Sequence, residues 1–198
     1  MKNGSKYSLY WGLILLLVML GACTSTPEPT RTTLDKYEPP EWVLKSSGAF
    51  EDSNGKAFYG IGSATGIENY SLQRTAADDR ARNDLAKVFE FYTKSLTKDY
   101  MASTTSGDFT ATSEEQNVEV AIKTVTSATL TGVLIIDHWE HPGKNVLFSL
   151  ARLDLVSFKK NLDQHKELSK EVREAIKERA DKLHEELEQE VLKKEGAS

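Results

Sequence analysis

The sequence predicts an α+β fold: a small antiparallel sheet with a long amphipathic helix packed on it, plus an extended C-terminal helix. Three observations carry that expectation. Apolar residues recur at helical spacing through positions 72–96, and two largely β-branched stretches, 130–139 and 146–154, flank the punctuating run His141-Pro142-Gly143-Lys144-Asn145. From Leu155 onward helical spacing returns, with charges between the apolar residues.

The N-terminus reads as an export signal over residues 1–22. Lys2 and Lys6 precede the apolar run Leu9 to Leu20, and the small residues Gly21 and Ala22 precede Cys23, the only cysteine. About twelve apolar residues reach ~18 Å as a helix, short of the ~30 Å hydrocarbon core, so a transmembrane helix is the weaker reading. Leu20-Gly21-Ala22-Cys23 resembles the lipobox of bacterial lipoproteins. That resemblance implies lipid transfer to the Cys23 thiol, cleavage after Ala22 and acylation of the new N-terminus. An ordinary signal peptide with a chance cysteine is the alternative. Thr24 and Ser25 stand where such proteins use Asp as an inner-membrane retention mark, which implies the outer membrane, facing the periplasm.

Removing residues 1–22 takes away Lys2 and Lys6 and leaves 23 basic against 30 acidic residues, a net charge of −7. Such a surface repels nucleic acid, and no lysine- or arginine-rich patch suited to a phosphate backbone is present. With Cys23 acylated no disulfide is possible, so stability must come from packing. Residues 23–40 hold Pro27, Pro29, Pro39, Pro40, Thr30, Thr32 and Thr33, a composition suited to a flexible tether.

The folded domain is expected over residues 41–154. Trp42-Val43-Leu44 reads as the start of a first strand, Asn54-Gly55 as a hairpin signal, and positions 57–64 as a second strand. A long helix should open at Asn69 or Ser71 and run to about Tyr100. Its expected apolar face is Leu72, Ala76, Ala81, Leu85, Val88, Tyr92 and Leu96, with Ala76, Ala77, Ala81 and Ala86 allowing close approach to a sheet. A polar Ser/Thr-rich loop spans 103–113. Val118, Ile122 and Val125 then suggest a shorter helix to about Ala128, with a strand as rival. A hairpin of strands 130–139 and 146–154 completes the domain.

Residues 155–198 read as one charged amphipathic helix, unbroken from Leu155 to about Glu195 and ~60 Å long. A heptad register meets Ser169 and Arg179 at core positions, which argues against a strict coiled coil. The narrow stripe containing Ile176, Leu183 and Leu187 is expected to lie beyond reach of the domain. It is therefore the candidate interface for a protein partner or self-association; a solvated extension is the alternative.

Pro40-Glu41-Trp42-Val43, Tyr59-Gly60-Ile61-Gly62-Ser63-Ala64, the Ala-rich stretch 76–86, Leu130-Thr131-Gly132-Val133 with Trp139, and Leu150-Ala151-Arg152-Leu153-Asp154 occur in that order. Together they resemble the LPP-twenty family of bacterial outer-membrane lipoproteins. The resemblance covers about residues 40–154. It implies a helix packed on an antiparallel sheet, a form also seen in flagellar basal-body accessory lipoproteins, and brings no catalytic residues with it. The long C-terminal helix departs from the family pattern, so a flagellar role is not implied.

Chemistry-bearing clusters are sparse. Gly60, Gly62 and Gly66 miss the dinucleotide spacing by one residue, so the first two read as a strand pair under a close helix. Asp137-His138-Trp139-Glu140-His141 offers four metal-ligand types, but strand alternation lets at most two converge. Asp78-Asp79 and Glu114-Glu115 point about 100° apart on a helix and read as solvated faces. No catalytic residue, metal site or cofactor is expected. The leading expectation is a structural or scaffolding lipoprotein acting through protein assembly. The alternative is a binding module for a small ligand or cell-wall fragment near the Gly60 to Gly66 loop.

Overall fold

Pro39 and Pro40 set the entry to the domain, and the chain after them forms a single helical turn rather than a strand. The computed structural model describes residues 38–104 and 113–196. The expected signal, Cys23, most of the tether and most of the Ser/Thr-rich loop lie outside the described residues. Pro40 is extended (φ −52°, ψ 145°), and its carbonyl accepts from Val43 N–H at 2.9 Å to open α1, Glu41–Leu44. A Lys45–Glu41 pair at 2.7 Å closes the turn. Three apolar residues cannot specify a strand without a ladder partner, which corrects the reading of Trp42-Val43-Leu44.

The sheet has four antiparallel strands in the order β1-β2-β4-β3. They are β1 (Gly48–Asp52), β2 (Gly55–Thr65), β3 (Leu134–Glu140) and β4 (Val146–Asp154). The β1–β2 turn is built locally: Asp52 Oδ1 accepts from Asn54 N–H at 2.7 Å, and Gly55 takes φ +106°, a left-handed value that favours glycine. Along β2, Phe58, Gly60, Gly62 and Ala64 line one face. There α2 (Tyr70–Thr104) crosses, started by Asn69, whose Oδ1 accepts from Leu72 N–H at 3.0 Å.

Gly60 and Gly62 set how close α2 can come. A Cβ on Gly60 would lie 2.3 Å from Leu85 N, and one on Gly62 would lie 2.2 Å from Ala81 N. Helix backbone thus rests on strand backbone, in keeping with the glycine pair and the Ala-rich helix. This seating fixes the buried stripe as Gln73, Ala77, Ala81, Leu85, Phe89, Tyr92, Leu96 and Tyr100. Leu72, one residue from Gln73 and so about 100° away, is 59% exposed. Leu72 therefore does not belong to the buried face, whereas Phe89, absent from the expected one, does.

A second helix, α3 (Ser113–Leu130), buries Val118, Ala121, Ile122 and Val125. Helical period outweighs β-branching here, and Thr124, Thr126 and Thr129 donate their hydroxyls to carbonyls four residues back. Turn bonds from Gly132 N–H to the Thr129 carbonyl and Val133 N–H to the Leu130 carbonyl delay β3 to Leu134. Within β3 the register shifts between Ile135 and Asp137, leaving Ile136 without a counterpart in the β4 ladder.

The C-terminal segment departs most from expectation. Instead of one helix there are two, α4 (Leu155–Leu162) and α5 (Lys170–Glu195). After α4 the chain tightens, with Gln164 N–H to Asn161 O and His165 N–H to Leu162 O. Ser169 then caps α5, accepting from Val172 N–H at 3.2 Å. Arg173 donates to His165 O and Leu168 O across the bend, and Lys177 pairs with Asp163. The break lets α5 fold back, and Ile176, Ala180 and His184 are fully buried.

One core therefore spans all layers. It includes Phe58, Leu85, Phe89, Tyr92, Leu153, Phe158, Leu162 and Ile176, with Val133, Leu183 and Leu187 packed against it. Phe58 stands 5.0 Å from Phe89, 4.7 Å from Tyr92 and 5.2 Å from the His184 ring, ring centre to ring centre. The expectation that Ile176, Leu183 and Leu187 lie beyond reach of the domain is overturned. Ile176 is buried in the core, and Leu183 and Leu187 are partly buried against it.

Candidate functional site

Residues paired directly across an antiparallel ladder share a face, so the register names both sides of the sheet. One side lies under α2. The other collects Phe50 of β1, Tyr59 and Ile61 of β2, Phe148, Leu150 and Arg152 of β4, and Leu134 and Trp139 of β3. This outer face is apolar and aromatic, and it is only partly covered. Trp42 reaches over it from α1 and donates its Nε1–H to Asp137 Oδ2 at 2.8 Å. At the open edge, Leu134 is 64% and Ile136 48% exposed.

Between α1, the β1–β2 side of this face and the end of α5 lies a cleft of about 420 Å³. Phe50, Tyr59, Ile61 and Leu150 line it together with Trp42 and Leu192. Its charged residues are Glu41, Lys45, Glu51, Asp52 and Glu188. Glu188 Oε1 accepts from Glu51 N–H at 2.8 Å, which ties α5 to the edge of β1.

Beside the cleft a polar cluster braces three strands. Arg152 donates to Asp52 Oδ2 from Nε at 3.1 Å and to Oδ1 at 3.2 Å, and it also pairs with Asp154. Tyr59 donates its hydroxyl to Asp52. Burial works to raise the Asp52 pKa, but the bonds from Tyr59, Arg152 and Asn54 N–H outweigh it and hold the carboxyl below its ordinary value. Burial and the bond to Asp52 push the Tyr59 phenol up. Burial also works against the charge on Arg152, but its bonds to Tyr59 and Asp52 outweigh that and raise the guanidinium. Every strong donor and acceptor in the cluster faces another, so it braces β1, β2 and β4 and offers no poised acid or base.

The Asp137 to His141 run splits across the sheet. His138 turns to the helix side, where Nε2 lies 2.6 Å from Asp78 Oδ1, and Ser149 donates to the same oxygen at 2.7 Å. Trp139 lies 5.5 Å from both the Phe148 and His141 rings, centre to centre. Among the described residues no three His, Cys, Asp or Glu gather as a metal site. Asp78 is thus not a solvated helix residue: it secures α2 to β3 and β4. Asp84 does the same at the other side, accepting from Ile61 N–H at 3.1 Å and from the Ser47 hydroxyl.

The Gly60 to Gly66 loop offers no ligand seat at its first two glycines, because α2 backbone fills the space above both. Gln73 closes the neighbouring end, donating to Ala64 O and to Asn145. The cleft residues escaped sequence reasoning. Their signal was the alternation in β2, where Tyr59 and Ile61 are as apolar as the covered face and imply partial cover on the second side.

Among the described residues no helix is long and apolar enough to cross a membrane. No curated protein matches the chain. The LPP20 lipoprotein family model matches residues 40–154, the stretch holding α1, the whole sheet, α2 and α3. On that match, which covers more than half of its length, the chain belongs to the LPP20 lipoprotein family.

Proposed function

We propose that this lipoprotein is anchored through Cys23 to the periplasmic face of the bacterial outer membrane, and that it acts without catalysis, as a structural partner in protein assembly. The lipobox supports the anchor, and two or more acyl chains make it stable. The observation that carries the assembly role is the half-exposed aromatic face beside the unpaired edge of β3. Leu134 and Ile136 are exposed at one end of β3, and Trp139, packed on Phe148, lies further along the same strand. Contiguous apolar surface at a strand edge is what an interface provides and what a solitary protein avoids. The C-terminal stripe has less to offer a partner, because Ile176 is buried and Leu183 and Leu187 pack against the protein's own core.

Photo-crosslinking in intact cells tests the reading. A photoreactive residue at position 134 or 136 should give a discrete protein adduct, whereas one at Lys123 on α3 should not. No adduct from either edge position would overturn the assembly role.

A further inference from the structure

The cleft on the outer face carries a more specific inference, which rests on the assembly reading because it names the chemistry of the partner. Among the described residues, Glu41, Glu51, Asp52 and Glu188 line it with the cation Lys45; Asp52 is matched by Arg152 and Glu41 by Lys45, which leaves Glu51 and Glu188 as its unmatched charges. Its aromatic rings already attract the chain's own cations: Lys45 Nζ lies 6.0 Å from the centre of Phe50, and Arg152 Cζ 5.9 Å from that of Tyr59. These two cations are held differently. Arg152 is fixed by Asp52 and Asp154, with its side chain 12% exposed. Lys45 is 40% exposed and its partner Glu41 81%, so their pair is a loose surface contact that a competitor can displace.

We propose that the cleft binds a cationic, apolar-flanked peptide segment of a partner protein. A lysine or arginine displaces Lys45 from Phe50 and meets the carboxylates of Glu51 and Glu188, while aliphatic neighbours pack on Ile61, Leu150 and Leu192. The volume of about 420 Å³ suits a few side chains. The net charge of −7 on residues 23–198 favours a cationic partner at longer range as well.

The test is calorimetric titration of the full lipidated chain, in uncharged detergent, with a short capped peptide of alternating lysine and leucine. The same peptide with glutamate in place of lysine serves as comparator. The lysine peptide should bind, weakening as salt rises, and the glutamate peptide should not. Glu51→Gln with Glu188→Gln should weaken binding about tenfold, glutamine at 188 keeping an acceptor for Glu51 N–H. Glu171→Gln with Glu178→Gln, which removes the same charge from the exposed side of α5, should change little. Lys45→Ala, an exposed position that leaves the fold intact, should strengthen binding. Equal binding of both peptides, or loss of affinity from the distant pair as large as from the cleft pair, overturns the proposal, as does unchanged or weaker binding by Lys45→Ala. If adducts from position 134 persist while these titrations fail, the cleft chemistry is wrong and the assembly reading stands.

Discussion

Gly62→Ala measures how closely α2 rests on the sheet. The added methyl would lie 2.2 Å from Ala81 N, 2.3 Å from Ala77 O and 2.8 Å from Arg80 C, all backbone atoms of one rigid helix. Ordinary contact begins at 3.4 Å, so strand and helix must part by about 1.2 Å. No rotamer change relieves this, and the shift loosens Ala77, Ala81 and Leu85 along the whole contact. Overpacking costs ~1–3 kcal/mol, and a clash with backbone on both sides belongs at about 3 kcal/mol or above. At ~2–4 °C per kcal/mol for a chain of this size, Tm should fall by roughly 6–12 °C. Thermal unfolding of the full chain followed by circular dichroism reads the shift. Gly132→Ala, whose Cβ would meet a single atom at 3.3 Å, is the control and should stay within about 2 °C of wild type. If Gly62→Ala melts within that same margin, α2 does not lie on β2 at the distance described.

Other substitutions probe the core, the titrating groups and the anchor. Ile176→Ala should cost about 2–5 kcal/mol in a urea titration, because the side chain is fully buried in the domain core; a neutral result would return α5 to solvent. His184 donates from Nε2 to Ala57 O at 2.9 Å, and its Nδ1 has no partner among the described residues. Burial lowers its pKa, against the bond to Ala57 O and the pull of Glu188 and Glu51, and with the help of Lys56. Its contribution is therefore complete above the unfolded value of about 6.5 and is lost as pH falls through that value toward the lower folded one, so a His184→Gln chain should show a flatter urea midpoint between about pH 8 and 5. Asp52, its pKa held down by Tyr59 and Arg152 against the effect of burial, adds stability above the ordinary carboxylate value that disappears as pH falls through the folded one, and Asp52→Asn should remove that acid-limb slope. Cys23→Ser should leave the protein unlipidated and absent from the outer-membrane fraction, and retention there would show that the anchor is not the lipid.

Local chemistry was readable where it decided the structure. Asn69 or Ser71 announced the start of α2, the glycine pair Gly60 and Gly62 with an Ala-rich helix (Ala76, Ala77, Ala81 and Ala86) announced its close seat, and the punctuation at positions 141–145 announced the β3–β4 hairpin. The break between α4 and α5 was harder to read, since Asp163 to Leu168 contains no proline or glycine and carries charges like any helix face. Its one local signal is Ser169, a capping residue that a heptad register treats only as a poor core residue. The rest of the bend is held by non-local ties, Lys177 to Asp163 and Arg173 to two carbonyls, which no periodicity displays. Once the chain turns there, Ile176 enters the core and Leu183 and Leu187 pack against it, so the reading of the three as lying beyond reach of the domain fails for want of the bend alone. The cleft was hidden for the same reason: Trp42 and Phe50 lie far in sequence from Leu150 and Leu192, and the four meet only after α1 and α5 have docked.

The C-terminal stripe packs into the fold, with Ile176 buried and Leu183 and Leu187 against the core, and the outer face of the sheet is proposed to meet the partner. Carbene footprinting of the full lipidated chain, once in its native membrane and once purified in detergent, tests both halves together. Ile176 should stay unlabelled in both states, while Leu134, Ile136 and Trp139 should label in detergent and be masked in the membrane. Labelling of Ile176 in the purified chain, or masking confined to Leu183 and Leu187, would contradict that arrangement.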